Sequence, residues 1–277
     1  MQIHQFEDAK EFYDHTRNYL LIQEAMHNLP LKIINNLIKD NNFYIGKAYL
    51  ASIESDGEIV AVALRTPPKN LILSHIKDFQ AIELLAQSLH SIAELPGIIA
   101  PKDEAEAFSL AWHSLTNQVY RIKHTLRVFQ LEKVQKLGAN NGFLRPVTSS
   151  DIELLTAWYQ AFSLEALGGI ELDSEVWVKR VLKWGNAYFW EDEKPVCLAC
   201  CSGTTVNGAS IGPVYTPPEY RRRGYGSACV SALSQTLLNQ GHKFCFLFTD
   251  LANQTSNHIY QEIGYQHVGD WREYSFL

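Results

Sequence analysis

The chain lacks any apolar run of transmembrane length, and Met1–Glu7 lacks a signal-peptide pattern. A soluble cytoplasmic protein without membrane partners is therefore expected. Positive charge is not in excess: 24 Lys and Arg stand against 30 Asp and Glu, a net charge of −6. That balance argues against a general nucleic-acid partner. A complete metal-ligand set is also missing. The five cysteines are Cys197, Cys200, Cys201, Cys229 and Cys245. Cys197 and Cys200 have the spacing of half a zinc site, but no second pair or His cluster completes it. On a strand, residues three apart point to opposite faces. Buried free thiols, with no metal and no disulfide, are the expectation. The nucleotide signatures are absent too: there is no Gly-x-x-x-x-Gly-Lys-Ser/Thr, and no Gly-x-Gly-x-x-Gly after a first strand.

Length and apolar content are present in quantity. A chain of 277 residues with 46% apolar side chains can build real cores, and more readily two domains than one. The most informative stretch is Val214-Tyr215-Thr216-Pro217-Pro218-Glu219-Tyr220-Arg221-Arg222-Arg223-Gly224-Tyr225-Gly226-Ser227. It reads as a strand, a tight basic turn, and a helix that starts at the glycines. Gly224 and Gly226 have no Cβ, so a ligand can come close to the backbone. The first helical turn leaves amides without intrahelical partners, and the positive end of the helix dipole favours an anion there. Arg221, Arg222 and Arg223 add charge and fork-shaped donors. The plainer alternative is a Gly-rich turn that caps a helix.

The residues that follow extend the pattern. Val230, Leu233, Leu237 and Leu238 recur at helical spacing and Gly241 supplies a stop. Lys243–Thr249 is an apolar run of strand length, Asp250–Asn257 is a polar turn, and Asn257–Gly264 reads as a short helix closed by glycine. Arg221-x-x-Gly224-x-Gly226, followed by helix, strand, Asn-containing turn, Asn257-x-x-Tyr260 and Gly264-Tyr265, resembles the GNAT superfamily of N-acetyltransferases over roughly Phe143–Leu277.

Upstream, Phe143–Val147 reads as a strand and Thr148–Asp151 as an N-cap for a helix over Ile152–Phe162. A helix over 173–184, a hairpin around Glu191–Lys194, a turn at Asn207-Gly208 and a strand over Ala209–Tyr215 follow, with Gly212-Pro213 marking a bulge. The first half has a similar plan. Helices are predicted over Phe6–Tyr19, Pro30–Ile38, Phe79–Ala93 and Lys102–Leu115. Strands are predicted over Tyr44–Ile53, Glu58–Thr66, Leu71–Ser74, Gly97–Ala100 and Tyr120–Leu131. No glycine lies between Leu71 and Phe79. Residues 1–132 are thus either a degenerate GNAT-like domain or an unrelated α+β domain. Residues 133–142 are read as a linker, and 143–277 as the catalytic domain. The resemblance implies an α/β (α+β) fold with a mixed, mostly antiparallel, splayed sheet flanked by helices.

The resemblance also implies a cosubstrate, acetyl-CoA, with its diphosphate on the Arg221–Ser227 loop. Its pantetheine arm would run along Val214, Tyr215 and Thr216, where a backbone N–H would polarise the carbonyl. Asn253 and Asn257 either contact the cosubstrate or cap the helix. Tyr260 is the candidate acid for the leaving thiolate, since a phenol with an ordinary pKa of about 10 is protonated at neutral pH; a core aromatic is the alternative. Tyr265 reads as structural, and His258 points away from Tyr260. Ala209–Tyr215 carries no carboxylate to serve as base, which leaves Glu165, Glu171 and Asp173 as weak candidates. Trp158, Phe162, Trp177, Trp184 and Trp190 supply the core and walls of the acceptor half. The acceptor class is a small-molecule amine, an amino acid or a peptide. The two-domain layout also resembles glycine-acyltransferase-like members, which points to an amino acid. The alternative is a non-catalytic CoA-binding regulatory module.

Overall fold

A computed structural model of the chain describes every residue except 42, 45, 92–93, 136–140 and 170–173. The linker residues 136–140, the ends of two expected helices (92–93 and Asp173) and Ile45 of an expected strand lie outside the described residues. The chain forms two compact units. One contains Met1–Phe129, Phe248–Asn253 and His267–Leu277; the other contains Gln130–Leu247 and Gln254–Gln266. Two late segments of the chain thus fold with the first unit, where the sequence suggested a linear division.

The first unit runs β1 (Gln2–Gln5), α1 (Ala9–Leu21), α2 (Asn28–Lys39), β2 (Tyr49–Ser55), β3 (Glu58–Arg65), β4 (Leu71–Leu73), α3 (Gln80–His90), β5 (Gly97–Pro101), α4 (Lys102–Thr116) and β6 (Tyr120–Leu131). Helix α1 begins three residues later than the apolar pattern predicts. Asp8 has extended backbone angles, and its Oδ1 accepts from the amides of Lys10 and Glu11, both at 2.8 Å. A side-chain acceptor aimed at the first-turn amides sets the start of a helix more firmly than periodicity does. Strands β1 to β4 pair antiparallel in sequence order, while β4 and β5, joined by α3, pair parallel.

Alternation along β3 sorts its side chains between two cores. Ala61 and Ala63 face a layer built by α3 and α4, with Leu85, Phe108 and Trp112. Val62 and Leu64 face α1 and α2, with Phe12, Leu20, Leu31 and Ile34.

The second unit contains β7 (Phe143–Pro146), α5 (Ile152–Phe162), α6 (Ser174–Trp184), β8 (Ala187–Asp192), β9 (Lys194–Thr204), β10 (Gly208–Tyr215), α7 (Tyr225–Asn239), the first four residues of β11 (Phe244–Asp250) and α8 (Gln254–Ile263). Its strand order is β11-β10-β9-β8-β7. The neighbours β7–β8, β8–β9 and β9–β10 are antiparallel, and β10 and β11, joined by α7, are parallel. The N-cap expected over Thr148–Asp151 is a capping box, with Thr148 and Asp151 bonded reciprocally across the short 3-10 turn that leads into α5. Leu155, Trp158, Val178 and Val181 of α5 and α6 pack on Phe189, Leu198 and Cys200. The fold is therefore the expected mixed, mostly antiparallel arrangement. Each unit repeats three antiparallel strands followed by a parallel β-α-β pair. Among the described residues, no helix is long and apolar enough to cross a membrane.

The last strand, β12 (Gln266–Phe276), was not legible in the sequence. It pairs antiparallel with β5, placing Trp271 opposite Pro101 and Ser275 opposite Gly97. A Cβ at Gly97 would lie 2.0 Å from the carbonyl oxygen of Tyr274, so only glycine permits this approach. Trp271 is fully buried with α1 and α2, and Tyr274 and Phe276 are buried with α3 and α4. One strand therefore feeds both cores of the first unit. Trp271→Ala is expected to destabilise this unit by about 3–5 kcal/mol. Denaturant titration checks this, and a loss below about 1 kcal/mol would count against β12 as a core strand.

A buried histidine makes the first unit sensitive to acid. His27 Nδ1 donates to the Leu20 carbonyl (2.8 Å), and its Nε2 accepts from the His75 amide (3.1 Å). Both ring nitrogens are thereby used by the neutral tautomer. Burial pushes the ring down from 6.5 to about 4. A depressed histidine contributes stability that is present above its unfolded pKa and is lost as pH falls from 6.5 towards 4. The loss is on the order of 3 kcal/mol. Unfolding free energies at pH 7 and pH 4.5 should differ in this direction, and His27→Gln should flatten that part of the curve.

Candidate functional site

The site residues predicted from sequence lie mainly at the carboxyl end of β10. The parallel pairing of β10 with β11 matches Gly208–Ser210 to Phe244–Phe246. Beyond it β10 keeps its partner β9, with Val214 opposite Ala199 and Tyr215 opposite Leu198. The β9 register shifts between Ser210 and Ile211 and again between Ile211 and Val214. This is the bulge expected at Gly212-Pro213. It re-aims the end of the strand just before the loop.

After Thr216 the chain makes a 3-10 turn over Pro218–Tyr220. It then passes Arg222 at φ +60° and Gly224 at φ +77°, both left-handed. Such a conformation costs a residue with a Cβ roughly 1–2 kcal/mol, so glycine at 224 follows from the backbone. Helix α7 starts at Tyr225, and its first turn closes with the Ala228 amide on the Gly224 carbonyl (3.0 Å). The amides of Tyr225, Gly226 and Ser227 precede that bond, where helix geometry offers no carbonyl. Gly224 has no side chain to cap them.

Side chains from distant elements brace this loop. Thr216 Oγ1 donates to Cys197 Sγ on β9 (3.2 Å). Tyr225 donates to Asp192 at the β8–β9 hairpin tip (2.5 Å), which pushes its phenol up. Lys194 of the same hairpin lies 5.5 Å over the Tyr220 ring. Arg221 Nε donates to the Thr216 carbonyl (2.8 Å), and its Nη2 pairs with Glu165 Oε2 (2.7 Å). Tyr215 donates to Glu165 Oε1 (3.3 Å); burial and then the Glu165 charge push its phenol up. Arg222 and Arg223 are exposed beside the turn, and Val214 is half-buried. Apart from the Arg221–Thr216 bond within the loop, these braces join residues far apart in the chain, so none was visible in the sequence.

Helix α8 presents Asn257, Tyr260 and Ile263 on its buried face. It begins at Gln254, so Asn257 sits inside the helix and not at its cap. Asn253 immediately precedes the helix, in the segment that groups with the first unit; its amide donates to the Asp250 carbonyl (3.0 Å). Burial, with a smaller effect from Cys197, raises the Tyr260 phenol well above its ordinary value, so it stays protonated at neutral pH. Its ring meets that of Tyr265 edge-on at 6.0 Å. The buried Tyr265 hydroxyl bonds Ser234 Oγ (2.8 Å), the structural role expected for it. His258 is exposed and faces Glu262. Glu171 and Asp173 lie outside the described residues.

All five cysteines are buried free thiols. Cys200 packs with the α5–α6 core while Cys197 meets Thr216, as the strand alternation requires. Among the described residues, no His, Cys, Asp and Glu cluster could hold a metal ion. Of the aromatic set, Trp158 and Trp190 are buried and Tyr159 stacks on Trp177 at 3.7 Å.

The family model described as FR47-like protein matches residues 198–275, the stretch from β9 to β12. No curated protein matches the chain significantly in sequence. Solved structures are similar over nearly its whole length. A GNAT-family acetyltransferase from Colwellia psychrerythraea superposes with TM-score 0.62 at 13% identity, covering 100% of this chain and 99% of that one. A GCN5-related N-acetyltransferase from Sphaerobacter thermophilus gives TM-score 0.63 at 15% identity, covering 99% and 95%. A tandem GNAT protein from the clavulanic acid biosynthesis pathway gives 0.59 at 11%, covering 99% and 98%. At such identities the likeness is one of architecture. The chain has the two-domain fold of the GNAT superfamily.

Proposed function

We propose that the chain transfers an acetyl group from acetyl-CoA to a primary amine of a small molecule, amino acid or peptide, by direct attack within a ternary complex. The carrying observation is the handover of β10 to α7. The strand leaves its parallel partner after Ser210, turns through the left-handed Gly224, and opens a helix whose first-turn amides have no side-chain cap. Those amides suit a diphosphate, and the neighbouring Arg222 and Arg223 supply charge. At Gly226 a Cβ would meet Thr216 Oγ1 at 3.4 Å, so the cradle is close but not overfilled. The uncapped amides and the neighbouring arginines support a diphosphate as the group held there.

When bound, acetyl-CoA supplies an activated acyl carbon and a thiolate leaving group. The backbone of Val214–Thr216 orients the thioester and donates an N–H to its carbonyl oxygen as negative charge develops there. As the amine nitrogen forms its bond to the acyl carbon, the carbon–sulfur bond breaks, and Tyr260 gives its proton to the sulfur. Tyr260 recovers a proton from solvent, and the surplus proton of the amine leaves to water. Burial keeps the phenol protonated at neutral pH, so the proton is present to be given.

Two substitutions test the assignment. Gly224→Val should weaken acetyl-CoA binding at least about tenfold, because the side chain is strained at this φ and blocks the amides. Isothermal titration checks this; unchanged affinity would remove the loop from the site. Tyr260→Phe should lower kcat about 100-fold while the acetyl-CoA Kd stays within about twofold. Thiol release with an amine panel measures the rate. Binding without release by the unmodified chain would instead favour a CoA-binding regulatory module.

A further inference from the structure

Glu165 is a carboxylate placed against what should be an anion site, and that position needs a reason. It lies in a π-helical turn, Ser163–Leu167, that continues α5. Such turns are rare and recur at functional positions. Both carboxylate oxygens are used: Oε1 accepts from Tyr215, the last residue of β10, and Oε2 pairs with Arg221. The guanidinium has a second anchor on the Thr216 carbonyl and lies 5.8 Å over the Tyr215 ring. Arg221 Nε thus closes the loop on its own first residue, while Glu165 holds the guanidinium from the α5 side. A lysine could not reproduce this, since a single ammonium lacks the planar fork that serves two acceptors at once.

From this geometry we infer that Glu165 and Arg221 are positioning residues that set the shape of the Thr216–Gly224 loop, and that Arg221 is a strut and not a contact to the diphosphate. The inference rests on the proposed use of the loop for acetyl-CoA. It ties the anion seat to the end of α5, so the helix that walls the acceptor side and the cosubstrate loop are organised together. It also explains why Glu165 is a poor candidate for the general base: its oxygens are occupied by Tyr215 and Arg221.

The sign of one substitution separates the strut from simple electrostatics. Removing a negative charge beside an anion site should tighten binding by Coulomb attraction alone. Removing a strut should weaken it. Glu165→Ala is expected to weaken acetyl-CoA binding about three- to fivefold, the scale of a half-exposed ion pair. Arg221→Lys should give the same loss, and the double variant should bind no more weakly than either single one. Tighter or equal binding by Glu165→Ala, or additive losses in the double variant, would overturn the assignment. If the unmodified chain does not bind acetyl-CoA at all, the transfer reading fails. The strut is then read from amide hydrogen exchange over residues 216–224. Faster exchange in Glu165→Ala supports it, and equal exchange refutes it.

Discussion

The second unit depends on one backbone event, the left-handed turn at Gly224 that hands β10 to α7. A residue with a Cβ is strained there, and a side-chain cap would satisfy the amides that the turn exposes. Glycine meets both demands. It permits the turn and leaves the helix start bare. The bulge upstream in β10 and the braces around the loop then act on the same short segment. The loop is shaped less by its own sequence than by what holds it: Cys197 of β9, Asp192 and Lys194 of the hairpin, and Glu165 beyond α5.

The first unit has the same parallel β-α-β step without this chemistry. The segment after β4 is Ser74–Phe79, which has no glycine. Its Ile76 amide donates to the buried carboxylate of Glu104 (3.1 Å), which also pairs with His75 Nδ1 (2.6 Å). An internal carboxylate occupies donors at this step, whereas the start of α7 in the second unit has no side-chain cap. The two units thus share a strand plan but differ in the side chains that meet its amides.

Much of the fold was legible from sequence. The strands over Glu58–Arg65 and Tyr120–Leu131, the N-cap before α5 and the glycine-led start of α7 follow from alternation, caps and turn chemistry, all of which act between near neighbours. The helix carrying Tyr260 was legible too, although it starts three residues before the expected Asn257. Strand β12 escaped. Its stretch Gln266–Phe276 mixes charged and aromatic residues and shows no clean period, because its side chains serve two different cores.

The sequence by itself determined most of the elements in their order and the glycine-led turn before α7, since each depends on backbone preferences within a few residues. Only the tertiary structure decided that β12 completes the first unit, that Tyr260 is buried, and that Glu165 braces Arg221. Those outcomes join residues that are far apart along the chain, 56 positions for Glu165 and Arg221. No local pattern carries such a pairing. It is set by which faces the packed sheets and helices bring together.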